Sequence, residues 1–304
     1  MTFDRTFDRV KTRSSKWTAL EDAFGLKGED LLPMWVADMD FVAPDFLARA
    51  VRDLAEAGDF GYFNHTDSYL ESVAWWAATR HGWKIEPGWI TPTASLGNAI
   101  AFAIQTWSKP GDGVAIFSPV YHEFSKKIRK NGRALTELPL HEEDGRFTLD
   151  FDRYDTMMCG TEKILILSSP HNPGGRVWST DELRAIAGFC ERHDLILISD
   201  EVHNDLILPG YSHQVTALAA PEISPRLVTM TSASKTFSIA GSRLGAVIIA
   251  DARLRGQFTD TVSRADLYPN LLGVALSRAA FSPEGAAWLD TLLPYLAGNF
   301  EAFR

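Results

Sequence analysis

The 304-residue chain holds only two cysteines, Cys159 and Cys190. That count excludes a disulfide framework, and the lack of a CxxC pair or a Cys/His cluster leaves no pattern for a structural zinc site. A reducing compartment is the expectation. Long apolar runs are missing as well, so nothing approaches the length of a membrane span. The opening MTFDRTFDRVKTRSSKW is charged throughout, without the apolar core of a secretory signal. Positive charge is not in excess: 30 Lys and Arg against 39 Asp and Glu give a net charge of -9, which argues against a general nucleic-acid binder. Internal repeats and low-complexity linkers are also absent. The reading is a cytoplasmic globular protein with neither membrane nor nucleic acid as partner.

What is present is apolar content, 45% of the residues, enough for one large domain or two unequal ones. The first forty or so residues read as irregular. APDFLARAVRDLAEAG then reads as a helix, with Pro44 near its start and Gly58 as its stop. DSYLESVAWWAATRHG repeats the pattern, with Asp67 as cap candidate and Gly82 as stop. From Thr91 onward short apolar runs alternate with helical stretches, the signature of an α/β architecture with a mostly parallel sheet between helices. The expected strands are GVAIF, KILILSS, LILIS, RLVTMT and GAVIIA. STDELRAIAGFCERHD carries a capping box from Ser179 to Glu182 and reads as a covering helix. The last segment, PEGAAWLDTLLPYLAGNFEAFR, is helical in pattern and expected to be interrupted at Pro294. It ends inside that pattern, which predicts an apolar face left for something else to cover.

Open α/β sheets hold their ligands at the carboxyl ends of the strands, so the residues after each apolar run carry the chemistry. LILIS leads into Asp200, Glu201 and His203; KILILSS into PHNPGG; GVAIF into SPVYHEF; RLVTMT into SASK. Asp200 alone reads as the cap of a turn. DEVHND offers carboxylates and an imidazole, but no further ligands at metal-site spacing, so no metal is expected. TPTASLGNAIAFAI puts Ser95, Leu96 and Gly97 at a helix start, where free N–H groups bind an anion or simply water. Ser232, Ser234 and Arg243 offer a second anion site around Lys235. That lysine lies between two buried runs and needs water, a carboxylate or a covalent partner, because burying an unpaired ammonium is costly.

Taken together, these segments resemble the pyridoxal-phosphate enzymes of the aspartate-aminotransferase fold (fold type I). SASKTFSIAGSRLG is similar to that family's Schiff-base segment, PHNPGG to its Asn-Pro-Gly segment, and SDEVH to the strand carrying the acid for the pyridine nitrogen. Within the superfamily, WVADMDF, GYFNHTDSY, SPVYHEF, PHNPGGRVWSTDEL and SDEVHNDL resemble the cystathionine β-lyase group typified by MalY and PatB.

The resemblance implies pyridoxal 5'-phosphate as cofactor, with Lys235 as its covalent anchor and the base at the substrate Cα. Asp200 would pair with the ring nitrogen, Asn172 would bond the phenolic oxygen, and His203 would sit near that oxygen. Tyr121 would stack on the ring near the reacting centre. Ser95, Leu96, Ser232, Ser234 and Arg243 would hold the phosphate, and Tyr62 would reach the phosphate of a neighbouring subunit in a homodimer. For His203, Tyr121 and Asn172, a satisfied histidine, core packing and a turn residue are the competing readings.

The implied activity is α,β-elimination of cystathionine or a cysteine S-conjugate to a thiol, pyruvate and ammonia. An aminotransferase, or a non-catalytic protein keeping the fold, is the alternative. The implied layout is a segment 1–43 contributing to a small domain, a cofactor domain 44–283, and the start of a C-terminal small domain at 284–304. Two departures stand out: the family usually has glycine where Ser95 aligns, and its chains run on into a C-terminal domain. The arginine that holds the substrate carboxylate in relatives would lie beyond Arg304.

Overall fold

Five apolar runs become the centre of one seven-stranded sheet in the computed structural model, which describes residues 3–28, 30–64 and 66–304. In chain order the strands are β1 (Ile90–Thr93), β2 (Gly113–Ser118), β3 (Ala134–Pro139), β4 (His141–Glu143), β5 (Arg146–Thr148), β6 (Glu162–Ser168), β7 (Ile196–Asp200), β8 (Leu227–Thr231) and β9 (Gly245–Ile248). The large sheet runs β1-β9-β8-β7-β6-β2-β3, and β4 and β5 form a separate hairpin. From β8 to β3 every pairing is parallel, while β9 runs against both of its neighbours, β8 and β1.

Burial on both faces explains why these strands read as unbroken apolar runs rather than alternating ones. Along β2, Ala115 and Phe117 join one core while Val114 and Ile116 join the other; Leu165 and Leu167 of β6 separate from Ile164 and Ile166 in the same way. Helices Phe151–Met157 and Thr180–Arg192 cover the first face; Leu96–Trp107, His122–Lys130 and Ala252–Arg264 cover the second. Each Ile, Leu or Phe fully buried there contributes about 1.5–3 kcal/mol relative to exposure. A third core packs helices Asp45–Ala57, Asp67–His81, Leu271–Ala280 and Pro283–Phe303 around Phe237, Ala246 and Ile248.

The capping box at Ser179 and Glu182 forms as expected, and Gly58 and Gly82 end their helices with φ of 67° and 64°. Several expectations are corrected. The opening segment is not wholly irregular: it holds two short helices, Ser15–Thr18 and Leu20–Phe24. Thr66 rather than Asp67 occupies the N-cap, and Asp67 is the first helical residue. Pro294 does not interrupt the last helix, which runs unbroken over Pro283–Phe303. Pro294 lies on the exposed side, where the carbonyl it leaves unpaired can turn to water. Strands β1 and β3 and the β4–β5 hairpin were not expected. β1 contains Pro92, which an edge strand tolerates because it needs a partner on one side only.

Candidate active site

Parallel register brings the strand ends onto one edge: Ser168 pairs with Asp200, and Asp200 with Met230. The ladder continues past the strands, with Ser169 N–H donating to Asp200 O at 2.9 Å and Glu201 N–H to Met230 O at 2.8 Å. Tyr121 N–H donates to Asn172 O at 2.9 Å, locking the loop after β2 to the loop after β6. Asn172 N–H is in turn held by Ser168 Oγ at 3.1 Å. The four loops that the sequence singled out therefore meet.

Asp200 is 8% exposed, and its carboxylate accepts one hydrogen bond among the described residues, from Val202 N–H at 3.2 Å. Burial pushes its carboxyl up to about 7, against the opposing pull of that N–H and of the Lys235 charge. Half-buried His203 is driven the other way, down to about 4, by burial and then by Lys235, so its imidazole is neutral near pH 7. Tyr121 is raised by burial and by the charges of Glu123 and Asp200. Lys235 thus bears on both Asp200 and His203, and Asp200 on Tyr121. The neighbouring buried carboxylates Glu201 and Asp205 pair with His213 and His81, and Lys235 enters no ion pair among the described residues.

A helix start with free N–H groups lies near the Lys235 segment. Ser95 caps the helix Leu96–Trp107, its Oγ accepting from Asn98 N–H at 3.2 Å, which leaves the N–H groups of Leu96 and Gly97 without a protein acceptor among the described residues. Thr93 pairs with Gly245 across β1 and β9, and Thr231 with Ala246 across β9 and β8, so this helix start flanks the Lys235 segment. Gly245 permits the approach: a Cβ there would meet Leu96 Cδ2 at 2.6 Å and Leu96 N at 3.3 Å. Ser232 Oγ donates to Leu244 O at 2.7 Å and accepts from Ser234 N–H at 3.1 Å, so this hydroxyl braces the turn. The Ser234 hydroxyl stays half-exposed beside it.

Arg243, at φ 51°, has an exposed side chain and a carbonyl fixed by Asn270 Nδ2 at 3.1 Å. Tyr62 is fully exposed and meets none of the other predicted residues in its own chain.

Three features escaped the sequence reading. Lys127 Nζ, ion-paired with Glu123 at 2.7 Å, lies 3.8 Å from where a Cβ on Gly97 would stand, and so adds a cation at that helix start. Lys126 and Lys127 together hold the Glu123 carboxyl down at about 2. A buried network around Asp205 supports the turn that carries Lys235. Ser238 pins the ADMDF segment near the same turn. All three use polar residues that a linear reading assigns to solvated helix faces or turns.

The edge thus offers a buried carboxylate with one hydrogen bond among the described residues, a helix start with open N–H groups, and the turn that carries Lys235. A family description, aminotransferase class I and II, matches residues 34–303. The cystathionine β-lyase PatB of Bacillus subtilis (strain 168) is 38% identical over 308 residues, covering 100% of this chain and 79% of that protein. Protein MalY of Escherichia coli (strain K12) is 32% identical over 301 residues, covering 98% and 76%. Among solved structures, the PLP-bound C-S lyase from Staphylococcus hominis superposes with a TM-score of 0.91 at 29% identity, covering 100% of this chain and 76% of that one.

Proposed function

The chain belongs to the class I and II aminotransferase family, and on that premise we propose that it is a carbon–sulfur β-lyase. It converts cystathionine or another cysteine S-conjugate, with water, to a thiol, pyruvate and ammonia. Pyridoxal 5'-phosphate is its cofactor. The residues present fit that group: its ring nitrogen suits the under-bonded Asp200 carboxylate, its phosphate suits the open N–H groups of Leu96 and Gly97 with Arg243, and its aldehyde suits the amine of Lys235.

When bound, the cofactor supplies an electron sink for the carbanion at the substrate Cα; the remaining work falls to the chain. Lys235 would anchor the cofactor through its amine and would serve as the base for the Cα proton. Asp200 would keep the ring nitrogen protonated, and that ionic contact would offset the burial that raises its carboxyl pKa. Asn172 would donate to the phenolic oxygen, and His203, neutral near pH 7, would assist near the same oxygen. Tyr121 would offer its ring to the flat cofactor ring. Ser95, Leu96, Ser232, Ser234 and Arg243 would hold the phosphate, and Tyr62 would reach the cofactor of a second subunit. The register that sets Ser168, Asp200 and Met230 side by side, with Tyr121 N–H bonded to Asn172 O and the under-bonded Asp200 carboxylate at the same edge, is the observation that carries this assignment.

The same proposal includes a cytoplasmic homodimer and the division into 1–43, 44–283 and 284–304. Exposed Leu32, Met34, Phe60, Tyr62 and Tyr268 support a partner surface. Phe3 packs against Trp288 at 5.9 Å and Tyr295 at 4.9 Å, which supports grouping the two ends of the chain.

The test is pyruvate release from cystathionine by purified protein given pyridoxal phosphate and no 2-oxo acid. Catalytic pyruvate supports elimination. Amino-group transfer that depends on an added 2-oxo acid, without pyruvate release, would overturn it in favour of an aminotransferase.

A further inference from the structure

We propose that Asp205 is a positioning residue for Lys235, acting through the hydroxyl of Thr236. This rests on the reading of Lys235 as the cofactor's anchor and concerns what aims that lysine.

Asp205 ends the DEVHND loop that begins with Asp200. It is 7% exposed, yet both carboxylate oxygens are fully engaged. Trp76 Nε1–H donates to Oδ1 at 3.0 Å and Oδ2 at 3.1 Å, His81 Nε2 lies 2.8 Å from Oδ1, and Thr236 Oγ1 donates to Oδ2 at 2.7 Å. Thr236 is completely buried and directly follows Lys235. The base of this clamp is stiff: Trp76 stacks on Phe281 at 5.0 Å and meets Phe237 edge-on at 5.7 Å.

The other polar groups of the turn are tied as well. Ser232 bonds Leu244 O, and Ser238 bonds Asp38. Thr236 is the tether nearest to Lys235, and it leads to the loop that carries Asp200. One carboxylate therefore fixes the distance between the residue facing the ring nitrogen and the residue that takes the Cα proton. A misplacement of about 1 Å at such a base costs up to about 100-fold in rate.

A role limited to holding the fold together would lower stability without touching the lysine's chemistry, and isosteric variants separate the two. Thr236→Val keeps shape and removes the donor; Thr236→Ser keeps the donor. The expected result for Thr236→Val is a kcat lower by about 10- to 100-fold with little change in KM. The induced circular dichroism of the lysine-bound cofactor band should weaken with it, because that signal reads ring orientation. Thr236→Ser should recover both.

A Thr236→Val protein with wild-type kcat and dichroism, whatever its thermal midpoint, overturns the proposal. Equal impairment of the Ser and Val variants overturns it too. Asp205→Asn should follow Thr236→Val, and if that variant fails to fold, the Thr236 pair still decides. A wild-type protein without the cofactor band overturns the reading of the site itself, an outcome distinct from either of these.

Discussion

Ser238 Oγ donates to Asp38 Oδ1 at 2.8 Å and accepts from Met39 N–H at 3.0 Å, so the ADMDF segment is buttoned to the chain three residues beyond Lys235. Ser238→Ala removes both bonds. The expected loss is about 1–2 kcal/mol of folding stability, measured as a lower midpoint in urea at unchanged slope.

Lys235→Ala should abolish covalent capture of the cofactor. Borohydride treatment of the wild type should fix the cofactor to the peptide containing Lys235, and mass spectrometry of the variant should find no such adduct. Turnover should vanish with it. A variant that kept both adduct and turnover would rule out the assignment.

Asp200→Asn should reduce kcat by about 100-fold or more while changing cofactor affinity far less, because the lost interaction matters most as charge develops in the ring. Its effect on the cofactor-free protein has the opposite sign. The carboxyl is raised from 3.8 in the open chain to about 7 in the fold, so the folded state holds its proton more tightly. That stabilisation is complete below pH 3.8 and is lost as the pH rises through 7. Cofactor-free Asp200→Asn should therefore gain thermal stability relative to wild type between pH 5 and pH 8, and scanning calorimetry at the two pH values checks it. His203, lowered to about 4, contributes in the reverse sense below its open-chain pKa, and comparing the variant with wild type cancels that term.

Arg243→Ala should raise the cofactor dissociation constant by about tenfold or more, with Arg243→Lys recovering only part, since an ammonium lacks the planar fork that grips a phosphate. Equilibrium dialysis gives the number directly.

Gly245→Ala should push the start of the helix Leu96–Trp107 away from the lysine turn, since its methyl would meet Leu96 Cδ2 at 2.6 Å and Thr93 Oγ1 at 3.3 Å. The expected cost is about 1–3 kcal/mol of stability, together with weaker cofactor binding in a fluorescence titration.

The central strands were legible because burial on both faces writes them as continuous apolar runs, and four strand ends could be listed from them before any fold was known. β3 was not, because ALTELP is buried mainly at Leu138 and its strand character comes from pairing with β2. β1, with a proline in four residues, takes its character from β9 in the same way. The continuous last helix was hidden because proline's cost depends on which side faces water. That the loops carrying Lys235, Asp200 and Asn172 meet at one edge could be read because each follows a continuous apolar run. Asp205 could not: its partner Trp76 lies 129 residues away, and a lone aspartate in a loop carries no mark of such a partner.

On the proposed assignment, the residues that would hold the cofactor are unequally spread along the chain. Lys235 and Arg243 belong to one short excursion between β8 and β9, whereas Leu96, Asn172 and Asp200 arrive from distant parts of the chain. A molecule gripped by all of them acts as a rivet through otherwise separate stretches, and it stabilises the fold in proportion to the logarithm of its concentration above the dissociation constant. Cells short of the vitamin would then hold not merely an idle protein but a looser one, opened first along the seam where the distant segments meet the lysine turn and offered there to proteases.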